Sequence, residues 1–171
     1  MGTERTLIFI KPMPNGTLLT ASETNKWAQI LAMLLGLGRG LYVLESFLSK
    51  LDAATLRCIY PDPPNTVWQA TLVHLCDTEV PVFILAGEDA IAKMSAHIGT
   101  DPDPNKCSAI SVRRLMTELV SNHSPNIEVL KNGLPLGDGR KYYFNCVHVS
   151  RSKEEFARQF AALQKARVLR T

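Results

Sequence analysis

The chain is 171 residues long, most simply one domain spanning residues 1–171 with enough length to bury a substantial core. Nineteen Lys and Arg against sixteen Asp and Glu leave a formal charge of +3, too small an excess to argue for a nucleic-acid partner. Four cysteines, Cys58, Cys76, Cys107 and Cys146, stand alone with no Cys-x-x-Cys or Cys/His spacing, which points to free thiols in a reducing compartment, the cytoplasm, and to no protein-held metal.

No signal peptide or membrane span is legible, and the most apolar run, residues 30–37, is too short to cross a bilayer. Met1-Gly2 with Thr6 loosely fits a myristoylation pattern, but a chain start running straight into a strand explains it more simply. The sequons at Asn15 and Asn122 matter only in a secreted protein, which this does not resemble.

Residues 6–10 form a mostly apolar run expected to be a central strand, ending in the turn-rich loop Lys11-Pro12-Met13-Pro14-Asn15-Gly16. Thr20-x-x-Glu23 is a capping box, and Trp27, Ile30, Leu31, Leu34 and Leu35 predict an amphipathic helix stopped by Gly36 and Gly38. A second strand is expected over residues 41–48, followed by a short helix that Asp52 caps and that runs to Tyr60. Pro61, Pro63 and Pro64 break it; Asn65 or Thr66 then caps a helix carrying Val67, Trp68, Thr71, Leu72 and Leu75.

Residues 80–86 read as a third strand, 89–98 as a helix ended by Gly99, and 108–120 as another helix after the stiff loop Asp101-Pro102-Asp103-Pro104. Residues 121–140, rich in Asn, Pro and Gly, read as an irregular insertion. Aromatic and β-branched residues over 141–147 predict the fourth strand. Ser152-x-x-Glu155 opens the last helix, with Phe156, Phe160, Leu163 and Arg167 at helical spacing. The order β-α-β-(αα)-β-α-β-α points to an α/β sandwich, a four-stranded antiparallel ferredoxin-like sheet with helices packed on it.

The chemistry-bearing stretch is Asn145-Cys146-Val147-His148-Val149-Ser150-Arg151-Ser152, where a strand gives way to a helix. An imidazole there can be a nucleophile, a general base, a ligand or packing. Asn145 converges with His148 only if the chain turns between them, while Ser150 lies on the same side if the chain stays extended.

Asn-x-x-His-x-Ser-x-Ser resembles the active-site signature of the nucleoside diphosphate kinases, usually Asn-x-x-His-Gly-Ser-Asp-Ser. The opening Glu4-Arg5-Thr6-Leu7-Ile8-Phe9-Ile10-Lys11-Pro12 resembles that family's first strand and its phosphate-binding lysine. The resemblance implies ping-pong phosphoryl transfer between nucleoside tri- and diphosphates, with His148 carrying the phosphate and Mg²⁺ riding in on the nucleotide. It also implies a homo-oligomer.

By the same resemblance Lys11 and Arg113 (in Ser111-Val112-Arg113) meet the terminal phosphate. Thr100, in Gly99-Thr100-Asp101-Pro102, donates to the β-phosphate, and Asn145 bonds a ribose hydroxyl or a phosphate. Tyr60 packs beside the histidine, Trp68 stacks on the base with Leu72 behind it, and Ser150 assists the imidazole. Trp68 as a core anchor of its helix is the competing reading; Arg114 is the alternative phosphate arginine if the register slips, and a solvated helix face is the competing reading for both arginines.

The chain also departs from the family. Ser95 stands where a phosphate-binding arginine is expected, with Lys93 and His97 as imperfect substitutes. Gln159 replaces the glutamate that orients the imidazole, Val149 replaces the glycine after the histidine, and the Lys-Pro-Asp-Gly loop becomes Lys11-Pro12-Met13-Pro14. These losses keep open a nucleotide-binding or assembly module of the same fold with weakened catalysis.

Overall fold

Leu7, Ile8 and Phe9 are all fully buried, although successive side chains of a strand point to opposite faces. A strand can do this only when both faces of its sheet are covered, and that explains the unbroken apolar run at the start of the chain. The computed structural model describes residues 3–12, 40–121, 127–145 and 147–169. The expected helix through Trp27 and the loop from Met13 onward lie outside the described residues.

The strand β1 (Glu4–Ile10) is central. It pairs with β3 (Thr78–Gly87) on one side and with a short strand, Val147–Val149, on the other; β2 (Leu41–Leu51) lies outside β3. Every pairing is antiparallel, so the expected four-stranded ferredoxin-like sheet is present. Ile8 and Ile10 pack with Leu85, Met94 and Ile98 on one face, while Leu7 and Phe9 pack with Leu56, Ile59 and Leu163 on the other. The outer edge of β2 is closed by the chain's own C-terminal segment, through Lys50 N to Ala166 O (3.0 Å) and Val168 N to Leu48 O (2.9 Å).

The helices α1 (Ala53–Ile59) and α2 (Asn65–Leu75) connect β2 to β3. Asp52 caps α1 as expected, accepting from Thr55 N at 2.7 Å. Neither Asn65 nor Thr66 caps α2. Its cap position is Pro64, and the Thr66 hydroxyl donates instead to Asp138 at 2.6 Å. The helix α3 (Ala90–Ile98) ends at Gly99, whose φ of 107° and closeness to Cys107 leave no room for a side chain: a Cβ there would lie 2.7 Å from the Cys107 sulfur.

The helix α4 (Val112–Ser121) starts four residues later than the sequence predicts, because Ser108 O is used in a turn to Ser111 N (2.9 Å). The segment 121–140 is also more regular than expected. It contains α5 (Ile127–Asn132) and leads into a hairpin of β4 (Leu134–Pro135) and β5 (Lys141–Tyr142).

This hairpin divides the strand expected over 141–147. Tyr142 pairs with Leu134, and Tyr142 and Phe144 pack edge-on against His74 of α2, at centroid distances of 5.8 and 5.0 Å. Only Val147–Val149, β6, joins β1. The last helix, α6 (Lys153–Lys165), is opened by Ser152 Oγ accepting from Glu155 N, while Glu155 reaches back to Arg151 N.

His74 joins three segments. It lies 2.7 Å from the Pro12 carbonyl through Nε2 and 3.0 Å from the Tyr142 hydroxyl through Nδ1, so the neutral tautomer with its proton on Nε2 satisfies both. Burial lowers its pKa from 6.5 to about 4, against an upward pull from the Pro12 hydrogen bond and with a further lowering from the Lys11 charge. The unfolded chain therefore takes up a proton in this window that the folded chain refuses. Folding stability is full above pH 6.5 and declines as the pH falls towards 4, by on the order of 2 kcal/mol between pH 7 and pH 5 from this group. Urea unfolding at the two pH values reads that loss directly, and His74→Gln should reduce it.

Candidate active site

Strand alternation builds the site. On β1 the side chains facing α1 and α6 are Leu7 and Phe9, and Lys11 continues the same series just past the strand end. On β6, Val147 and Val149 enter the opposite core, which turns His148 to the Lys11 side, directly across from Phe9. The Phe9 and His148 rings stack with centroids 4.6 Å apart and planes 18° from parallel.

His148 is held at both nitrogens. Nε2 lies 3.1 Å from Gln159 Oε1, and Nδ1 lies 3.2 Å from the Tyr60 hydroxyl. Gln159 Oε1 also accepts from Ser150 Oγ at 2.7 Å. An amide oxygen can only accept, so the imidazole proton sits on Nε2 and the lone pair on Nδ1, facing Tyr60. Burial drives the His148 pKa well below 6.5, and the positive charge of Lys11 adds to this; the Gln159 hydrogen bond pulls the other way, and Arg113 and Arg151 contribute further lowering. The ring is a neutral base at physiological pH. The Tyr60 phenol, pushed up chiefly by burial, stays protonated.

His148 is 9% exposed, and that exposed part borders a cleft of about 490 Å³. Lys11, Tyr60, Arg113, Asn145 and Gln159 line the same cleft. Lys11 Nζ donates to Asn145 Oδ1 at 2.7 Å and lies 5.7 Å from the centre of the Tyr60 ring. The chain does turn at Asn145, where its N–H bonds back to Tyr143 O at 2.9 Å, and this turn returns the amide to the histidine's cleft. Ser150 is fully buried and reaches the imidazole through their shared acceptor, Gln159.

Arg113 borders the cleft, but its guanidinium holds protein backbone. Nη1 donates to Gly99 O (2.7 Å) and Asp101 O (2.9 Å), and Nη2 to Val147 O (3.3 Å). It thereby ties the loop after α3 to β6. Arg114 points elsewhere, to Glu118 and Asn105.

Three expected nucleotide contacts lie outside the cleft. Trp68 and Leu72 pack against the α1–α6 core, and the Trp68 face is covered by the Arg57 guanidinium 3.8 Å from the ring centre. Thr100 lines a second cavity of about 510 Å³ together with Ser95, Glu4 and Asp89. Arg151 and Arg158 are cleft residues that the sequence reading passed over. Arg151, three residues past the histidine in the quoted motif, could have been singled out; Arg158 enters through the helical geometry of α6.

No protein-family model matches the chain, and no curated protein sequence does. Solved structures do. The nucleoside diphosphate kinase of Aquifex aeolicus matches with a TM-score of 0.65 at 20% identity, over 98% of this chain and 100% of the other. A transition-state mimic of the Borrelia burgdorferi nucleoside-diphosphate kinase, with bound vanadate and ADP, matches at 0.64 and 13% identity, over 99% and 92% of the two chains. The Halobacterium salinarum enzyme in complex with CDP matches at 0.62 and 14%, over 99% and 94%. With agreement over nearly its full length, in addition to the strand order and the helices on both sheet faces, the chain has the nucleoside diphosphate kinase fold.

Proposed function

We propose that this protein is a nucleoside diphosphate kinase that moves a γ-phosphate between nucleotides through His148. A fold by itself hosts many functions, so the reading rests on the site. One observation carries it: a neutral imidazole with its proton held by Gln159 and its Nδ1 lone pair directed at Tyr60, in one cleft with the Lys11 ammonium.

In the first half-reaction Nδ1 attacks the γ-phosphorus of a nucleoside triphosphate. The N–P bond forms as the bond to the β–γ bridging oxygen breaks, and the diphosphate leaves with that electron pair. In the second half an acceptor diphosphate oxygen attacks the phosphohistidine and Nδ1 recovers its lone pair. Lys11 places positive charge beside the transferring oxygens, where electrostatic stabilisation contributes most. The Tyr60 hydroxyl must release Nδ1 as phosphorus approaches and can then donate to a phosphoryl oxygen. Gln159 fixes the ring's tautomer and angle but brings no negative charge, so the positive charge on the phosphorylated ring is stabilised less than a carboxylate would stabilise it.

Mg²⁺ belongs to the substrate in this scheme. Among the described residues no three His, Cys, Asp or Glu side chains converge to hold a metal, and Asp62 and Glu155 are the cleft's carboxylates. The nucleotide's own phosphates would carry the ion.

A nucleotide-binding module with little turnover is the second reading. It is favoured by Arg113 donating to three carbonyls, by Ser95 in the expected arginine's place and by Arg57 over Trp68. Incubation with γ-labelled ATP separates the two. The kinase gives an acid-labile, base-stable phosphoprotein that GDP discharges and that His148→Ala abolishes; nucleotide binding with no label selects the module.

The pH profile is a second check. With the His148 pKa well below 6.5, the rate of phosphoprotein formation should stay flat as the pH falls from 8 through 6.5, where an ordinary histidine would lose its lone pair. Gln159→Glu puts a carboxylate against Nε2 and raises that pKa. Acid loss of the rate should then begin at a higher pH than in the native chain.

A further inference from the structure

Four cationic side chains line the His148 cleft among the described residues: Lys11, Arg113, Arg151 and Arg158. Three are engaged with the protein. Lys11 donates to Asn145, Arg113 to three backbone carbonyls, and Arg158 Nε to Cys58 O at 2.8 Å. Arg151 differs from them. Its backbone N–H serves Glu155, but its exposed guanidinium has no hydrogen bond or ion pair with any described residue.

Its position is also distinctive. Arg151 is the one described residue that lines both the His148 cleft and the neighbouring cavity holding Thr100 and Ser95. The Ser95 hydroxyl is buried there without a hydrogen-bond partner among the described residues. Of the carboxylates that line the two cavities, Glu4 accepts from Ile91 N at 3.0 Å and pairs with Lys153 at 3.8 Å, and Glu155 accepts from the Arg151 backbone N–H; Asp62 and Asp89 also line them and form no ion pair with Arg151. In the signature that this segment resembles, the position of Arg151 is aspartate, so the local charge is reversed.

We propose that Arg151 binds the β- and γ-phosphates of the nucleotide, supplying from the end of β6 the guanidinium that Ser95 cannot supply from α3. The inference rests on the nucleotide reading above. A guanidinium presents paired N–H donors that match two phosphate oxygens, which a lysine cannot copy in full. Placed between the two cavities, it can hold phosphates in line with His148 while Lys11 stays on Asn145. Its charge also contributes to keeping the imidazole neutral.

The test is calorimetric titration of the full chain with Mg·ADP and with AMP. Arg151→Ala should weaken ADP binding about ten- to a hundredfold, the loss of one charge-assisted pair, with AMP affected much less. Arg151→Lys should recover part of the loss and Arg151→Gln little. Phosphoprotein formation from labelled ATP should slow in the same order.

Unchanged ADP affinity in Arg151→Ala, or equal losses for ADP and AMP, overturns this role while leaving the kinase reading intact. Failure of the native chain to bind any nucleotide overturns both. Thermal unfolding of the three variants should match the native chain, since the residue is exposed; variants that bind weakly only because they unfold would show it there, and Arg151→Lys binding as poorly as Arg151→Ala despite a native melting curve counts against the pairing.

Discussion

The site depends on a single amide oxygen. Gln159 Oε1 accepts from both Ser150 and His148, and so joins α6 to the segment that carries β6. Gln159 is 1% exposed, so neither donor has water as a ready alternative partner. The same bond that packs the last helix on the sheet also fixes the tautomer of the candidate nucleophile. Phe9 stacked on the ring and Tyr60 at Nδ1 complete the enclosure. Orientation here is a consequence of core packing rather than of loop geometry, which gives the imidazole little freedom to turn.

Burial has an electrostatic cost that the cleft turns to use. An imidazole placed among Lys11, Arg113 and Arg151 and removed from water is held neutral, the form that can attack phosphorus. In the proposed function those cations also attract the triphosphate. The amide of Gln159 is consistent with this balance: it satisfies the imidazole N–H and adds no negative charge that would favour the imidazolium. Arg113, the other candidate phosphate ligand, also clamps Gly99, Asp101 and Val147 through its guanidinium. A cation that holds backbone carbonyls shapes the cleft wall as much as it charges it.

Much of the architecture was legible in the chain. The apolar run of β1, the capping signals at Asp52 and Ser152 and the glycine at position 99 placed elements close to where they lie. The strand expected over 141–147 was not, because aromatic residues favour a strand without saying which neighbour they join; Tyr142 and Phe144 turn to His74, and β6 keeps only three residues. Residues 121–140 likewise hold a short helix and the first strand of a hairpin that their Pro and Gly content conceals. Trp68 carried two readings, and its partial burial beside the core of α1 and α6, with Arg57 over its face, is a packing outcome that spacing could not weigh.

By itself the sequence determined which residue types could do chemistry and on which face alternation would put them: Lys11 in step with Phe9, His148 out of step with its two valines. Strand periodicity is local, and local rules suffice for that. The tertiary structure alone decided which of those residues meet. Gln159 reaches His148 across eleven residues, Lys11 reaches Asn145 across 134, and Arg151 comes to stand between two cavities while Thr100 faces only one. Such meetings depend on how α6 and β6 settle on the sheet, which is set by the packing of the two faces together and is written in no single segment of the chain.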